Sequence, residues 1–498
     1  MNVNPITRLD YPDLDVIRVE DTYYMVSTTM HFMPGCEILQ SFDLVHWEHV
    51  TYVYETLDHT DAQQLKSGQN IYGQGMWAAS LRYHEGRFYI CFVANDTRKT
   101  YLYTSKKIDG PWKKQLIEGF YHDGSLLFDE DGRNYIVYGN DEIWITELNE
   151  DLTAPKKDGL HRLLVSDHKN PELGYEGSHI QKINGYYYIF LVHSLRDRWM
   201  RTEACFYSDS LEGEFTGGDV LCDDRGYCGQ GVAQGGIVDT PDGKWYAMLF
   251  QDSGAVGRIP ILLPVTWKDH FPFFGQNGHV PEEIEVHSTR PGYIYQPLVG
   301  SDDFCNGLLP RWQFNHDPDP RYYHLDALQG TYTITTREVC TELTQAVNTL
   351  TQRMSYPSCA AEVTVDASAL KEGDVAGLCA LQSCYAAVGI TKHHGKYEVL
   401  MLDKKEDGIL DMTEGTVVES HQMDFRLEAD FCNMKDEARC YYRVNKGDWL
   451  PIGTVHKLYF KLDHFTGCRF GLFCYAAEET GGSACFRDFK YYDVDEIS

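Results

Sequence analysis

Asp13, Asp123 and Glu176 each stand 11 or 12 residues ahead of a tyrosine in a recurring pattern, and Trp77 and Gln234 hold the same place before tyrosines of their own. Carboxylates gathered in a confined place repel one another and lose hydration, so such clusters are usually kept for chemistry or for a metal. Two carboxylates facing each other across a neutral, hydroxyl-rich molecule can break a glycosidic bond. One, protonated, gives its proton to the departing oxygen; the other, ionised, draws a proton from water or attacks the anomeric carbon. A third carboxylate beside the acid supplies the like charge that raises its pKa. Aromatic rings would complete the site by stacking on the apolar faces of a sugar, and Phe32, Trp77 and Trp199 are the candidates, with core packing an equal reading for Phe32. His31 and His193 lie near the same segments, but a solitary histidine is more often a packing residue.

The tyrosines that set this register are Tyr24, Tyr89, Tyr135, Tyr188 and Tyr246, separated by 65, 46, 53 and 58 residues. They fall in the segments DTYYMV, GRFYIC, GRNYIV, GYYYIF and GKWYAM. Four of these follow the turns Glu85-Gly86, Asp131-Gly132, Asn184-Gly185 and Asp242-Gly243. Period-two alternation across such turns predicts two adjacent antiparallel strands in each unit. Five units at this spacing predict a five-bladed β-propeller, whose innermost strands run side by side around a central channel. The five equivalent positions then converge on one channel mouth.

The blade pattern stops between Pro281 and Pro297, so the propeller is assigned to residues 1–295. Residues 300–498 carry short alternating strands such as 331–336, 360–365, 397–402 and 469–474, separated by Gly, Asp and Asn turns. This predicts a jelly-roll-like β-sandwich and makes the whole chain all-β. If its first and last strands pair, Asp302-Asp303-Phe304 would meet Asp488-Phe489, where gathered oxygens would suit calcium. A net charge of −30 excludes nucleic acid and an anionic membrane surface as partners, since each would be approached against a repulsive field. No apolar run is as long as a membrane span. The 15 cysteines, odd in number and without a repeated C-x-x-C pair, read as reduced thiols of a cytoplasmic protein.

Taken in order, Asn4 to Thr29, Met33-Pro34-Gly35, Met76-Trp77-Ala78, His122-Asp123-Gly124-Ser125-Leu126, Tyr175-Glu176-Gly177-Ser178-His179 and Val256-Gly257-Arg258-Ile259-Pro260 resemble glycoside hydrolase family 43. The pattern is nearest to its β-xylosidases and α-L-arabinofuranosidases, and residues from about Ser301 resemble the β-sandwich attached to that subset. The resemblance implies hydrolysis with inversion, with Asp13 as general base, Asp123 as the carboxylate that tunes and orients the acid, and Glu176 as general acid. It also implies that Arg258 contacts sugar and carboxylates, and that the sandwich is a lid restricting action to chain ends rather than a carbohydrate-binding module. Inversion predicts about 6.5–9.5 Å between the Asp13 and Glu176 carboxyl groups. Two departures stand out. The family usually reads Asp-Pro-Ser at the base, whereas this chain has Asp13-Leu14-Asp15, which makes Asp15 a second candidate. Many members also place a histidine that holds water or calcium where this chain has Gln234, so the amide is expected to contact water or substrate instead.

The function expected is exo-acting release of xylose, arabinose or both from xylo-oligosaccharides or arabinoxylan-derived oligosaccharides, with no organic cofactor. The alternatives are an arabinan- or galactan-trimming hydrolase of the same family, a non-catalytic sugar-binding propeller, or a protein-binding scaffold. Fructoside-cleaving propellers are disfavoured, since no Asn-Asp-Pro-Asn, Arg-Asp-Pro or Glu-Cys signature is present and Glu37 follows Cys36 in the reverse order.

Overall fold

The computed structural model describes residues 2–493, so the first residue and the last five of the two expected domains lie outside the described residues. Five antiparallel four-stranded sheets form the blades of a propeller. Their innermost strands are Asp15–Val19, Met76–His84, Ser125–Phe128, Glu176–Ile183 and Val232–Asp239. Each marker tyrosine lies on the second strand of its blade, paired across the hairpin with Ile17, Arg82, Leu127, Gln181 or Val238. Asn2–Val3 pairs with Glu283–Ile284 and so ties the start of the chain to the end of the last blade. Among the described residues there is no α-helix, only short 3₁₀ turns, and no helix long and apolar enough to cross a membrane.

The blades share one local device at the channel mouth. Asp13, Ala78, Asp123, Gly177 and Gln234 all have positive φ, between 34° and 65°. Each lies four residues before the inner-strand partner of its tyrosine. Positive φ is uncommon outside glycine, and five such bends at one register turn the chain as it enters each innermost strand. This corrects the register read from sequence. In the third and fifth blades the tyrosine falls eight residues after its partner rather than seven, because the hairpin turn holds one more residue. Trp77 and Glu176 therefore precede the bend by one position, and the third-blade residue equivalent to them is His122.

The second domain is a sandwich of a nine-stranded and a seven-stranded antiparallel sheet around one large apolar core. Phe32–Met33, which branches from the first blade, extends the nine-stranded sheet by pairing with Gln313–Asn315. Ala255, Val256 and Ile259 of the fifth blade belong to the sandwich core. Between the domains, Arg353 pairs with Glu37 at 2.8 Å and lies 4.1 Å from the Tyr11 ring centroid. His31, His316 and His464 cluster there around Tyr72, with ring centroids 4.6–5.3 Å apart. All fifteen cysteines are free.

Phe32 requires a correction. It is fully buried in the interdomain sheet, with the Arg469 guanidinium 3.5 Å from its ring centroid, so it packs the interface and offers no face to a sugar. His31 lies beside it, likewise fully buried. His193 is held structurally, by Asp219 at 2.8 Å and the Tyr175 ring.

Candidate active site

A cavity of about 630 Å³ opens at the channel mouth, lined by Asp13, Trp77, Asp123, Glu176, Trp199, Gln234 and Arg258. Seven of the eight residues expected at the site are thus brought together, and Phe32 is the exception. Asp13 is gripped on both carboxylate oxygens. Arg258 Nη1 donates to Oδ1 at 2.9 Å and Thr28 Oγ1 donates to Oδ2 at 2.7 Å. Arg258 is itself buried and fixed, its N–H donating to Asp10 Oδ1 at 2.7 Å.

Asp15 serves a different purpose. Its oxygens accept from Arg82 Nη1 at 2.7 Å and the Leu81 N–H at 2.8 Å, and meet His179 Nδ1 at 3.1 Å, beneath the cavity floor. Burial alone would raise its pKa, but Arg82 and then His179 outweigh burial and hold the carboxyl down at about 2. Asp15 is a buried strut joining three blades, and Asp13 is the carboxylate exposed to the cavity.

Across the cavity, Glu176 Oε2 accepts from Asn140 Nδ2 at 2.6 Å and lies 3.5 Å from His122 Nε2. The same imidazole nitrogen is 3.6 Å from Asp123 Oδ2, which accepts the Gly177 N–H at 3.0 Å. Gly177 is required here, since it combines φ of 65° with a Cβ position only 2.8 Å from Gln234 Cγ. The charges interlock. Asp123 first, then Glu176 and Asp13, raise His122 to about 9 against burial. Burial pushes Asp123 up to about 6, helped by Glu176 and Asp13 and opposed by His122. For Glu176, burial also raises the pKa, but the hydrogen bond and charge of His122, with Arg201 and Asn140, prevail and leave it below the usual carboxylate range.

Trp77 and the half-exposed Trp199 form parts of the wall. Gln234 presents its side chain to the cavity while its N–H donates to the buried Glu203 Oε2 at 2.7 Å. The roof comes from the sandwich. Phe460, Lys461, Leu462 and Phe465 line the cavity, the Phe465 ring lies 5.4 Å from Trp77, and Arg258 Nη2 donates to the Phe465 carbonyl at 3.3 Å. Asp10 Oδ2 accepts the Gly467 N–H at 2.8 Å and anchors the end of this loop. His122, Asn140, Arg201, Asp252 and the roof phenylalanines were missed in the sequence. Of these only His122 carried a local signal, its place next to Asp123 in the His-Asp-Gly-Ser motif.

Neither expected calcium position fits the ion. The early and late sandwich segments do meet, the Asp302 N–H donating to the Phe489 carbonyl at 2.9 Å. However, the Asp302 oxygens are taken by the Phe304 N–H at 2.7 Å and Trp312 Nε1 at 2.8 Å, so no oxygen cradle is formed. At the channel axis Gln234 offers an amide beside a carboxyl that burial raises well above its usual range. His122, Asp123 and Glu176 place polar atoms within 4.8 Å of one another, with the His122 ring nitrogen facing both carboxylates.

A five-bladed propeller carrying opposed carboxylates, one gripped by arginine and the other set among proton-sharing groups, has the architecture and site of a glycoside hydrolase. The chain belongs to glycosyl hydrolases family 43, whose family model matches residues 3–272, and residues 301–492 match the β-xylosidase C-terminal concanavalin A-like domain. It is 27% identical to a β-xylosidase of Formosa agariphila, over 99% of this chain and 89% of that protein. It is 24% identical to a non-reducing end α-L-arabinofuranosidase of Bacteroides ovatus, over 82% of this chain and 79% of the other. Among solved structures, a bifunctional GH43-CE protein of Bacteroides eggerthii matches with 42% identity and a TM-score of 0.93. This chain is covered completely and spans 64% of that longer one.

Proposed function

We propose that the protein is an exo-acting, inverting glycoside hydrolase that releases xylose, arabinose or both from the ends of xylo-oligosaccharides or arabinoxylan-derived oligosaccharides. The observation that carries this reading is the cavity itself, in which the Asp13 and Glu176 carboxylates open onto one space roofed by Phe460 and Phe465 of the second domain. A roofed cavity admits a chain end more readily than the middle of a long chain. The β-xylosidase and arabinofuranosidase relatives support the pentose assignment.

In this reading water lies between Asp13 and the anomeric carbon. Asp13 takes a proton from it as the new C–O bond forms, while Glu176 protonates the departing oxygen. Arg258 keeps Asp13 oriented. Asp123, buried beside the acid, supplies negative charge that favours proton retention by its neighbours. Trp77 and Trp199 offer faces to the sugar rings. No organic cofactor is needed, and a reducing cytoplasm would suit the free thiols.

The test is chromatographic resolution of sugars released from linear and arabinose-branched xylo-oligosaccharides by wild type and Asp13→Asn. Wild type should free a pentose whose identity names the specificity, and the variant should free neither. Release of no pentose by the wild type would sink the pentoside assignment and direct the search to arabinan or galactan. Full activity in Asp13→Asn would remove Asp13 from the mechanism.

A further inference from the structure

We propose that His122 is a positioning residue that holds, between turnovers, the proton that Glu176 delivers to the leaving oxygen. The inference deepens the glycosidase reading and rests on it. Its basis is placement: His122 occupies the third-blade position equivalent to Glu176 in the fourth, and its Nε2 lies 3.5 Å from Glu176 Oε2 and 3.6 Å from Asp123 Oδ2. It also lines the cavity, with its ring centroid 6.3 Å from that of Trp77.

A general acid must hold a proton when the substrate arrives, yet the groups facing Glu176 are arranged to keep it ionised. His122 and Arg201 present positive charge to it and Asn140 donates a hydrogen bond. The charged groups facing His122 are Asp123, Glu176 and Asp13, and all three favour the imidazolium. The proton the reaction needs is therefore stored 3.5 Å from the group that uses it. In the reaction it passes from His122 Nε2 to Glu176 Oε2, leaving neutral imidazole, and then to the glycosidic oxygen as the C–O bond breaks. The attacking water gives its own proton to Asp13. Solvent exchange afterwards returns a proton to His122 and removes one from Asp13, so one water is consumed for each bond cleaved.

The experiment measures kcat/KM against pH for wild type and His122→Gln, on xylobiose and on an aryl β-xyloside whose leaving group needs little protonation. On xylobiose the wild-type alkaline limb should lie near pH 9, following the imidazolium. In the variant it should move down by at least two pH units, into the range of the carboxyl groups that are then left to hold the proton. The xylobiose loss should exceed the aryl-xyloside loss by at least tenfold. A variant that keeps the wild-type limb at reduced height would show that His122 only packs the wall, and would overturn the proposal. If the variant fails to fold, the wild-type profile decides: a limb near pH 9 supports the stored proton and one at or below pH 7 overturns it. Failure of the wild type on both substrates removes xyloside cleavage from that reading, a result distinct from an unshifted limb, and the profile is then taken on an α-L-arabinofuranoside.

Discussion

Asp13 and Asp15 are two residues apart on one strand entry, and the structure separates them by what each touches. Asp13 opens to the cavity with Arg258 and Thr28 holding its oxygens. Asp15 is fully buried against Arg82 and His179. Asp13→Asn should therefore reduce pentose release by about 10²–10⁴-fold, the range for loss of a general base. Asp15→Asn should act on the fold instead, lowering stability by about 3–5 kcal/mol because it removes the fully buried member of the Asp15–Arg82 ion pair, as read by denaturant titration. The pH dependence follows from the sign of the shift. The folded Asp15 carboxyl titrates at about 2, below its ordinary 3.8, so its stabilisation is complete above that ordinary value and is lost as pH falls from about 4 to 2. Sequence alone showed two acids of equal parity and could not say which would find an arginine from the second blade.

At the level of the element, the sandwich loop bearing Phe460 and Phe465 closes the cavity, Phe465 packing at a tilt against Trp77 and both rings meeting Arg258. Phe465→Ala removes an aromatic contact worth about 0.5–1.5 kcal/mol, so KM for xylobiose should rise about 2- to 13-fold in steady-state assays. The base of the same loop carries His464, which packs with His31 and His316 in the buried interdomain cluster. Burial, above other causes, holds all three low, with His464 down at about 3. The unfolded chain takes up protons below about pH 6.5 that the folded cluster refuses, so stability falls as pH drops from there toward 3, by about 1.4 kcal/mol per pH unit for each such histidine. The melting temperature of His464→Phe should accordingly fall less between pH 7 and pH 5 than that of wild type. These elements also mark the limit of what the sequence revealed. The blades were legible because hairpin turns and period-two tyrosines repeat locally. The roof was not, because Phe465 meets Trp77 from nearly 400 residues away, and Phe32 misled because an aromatic pattern reports burial without saying against what. His122 was hidden by one extra turn residue in the third hairpin, which shifted the apparent register.

The whole molecule is two domains joined through shared structure rather than through a linker. Ala255, Val256 and Ile259 of the fifth blade complete the sandwich core, and the Arg353–Glu37 pair crosses between the domains in a fully buried setting. Calorimetry should thus show one cooperative unfolding transition. A fragment ending at residue 295 should bind a hydrophobic dye and aggregate, because Phe32, Ala255, Val256 and Ile259 lose the sandwich residues that cover them. Two well-separated transitions would contradict this coupling. The Phe32–Met33 strand carries a further consequence for ancestry and engineering. Because the propeller contributes an edge to the sandwich sheet, the seam between the domains does not coincide with any single cut in the gene. A foreign sandwich spliced on near residue 300 would arrive lacking its terminal strand's proper neighbour, so successful recombinants should carry the segment around 28–36 together with the new second half, as co-inherited modules far apart in the reading frame.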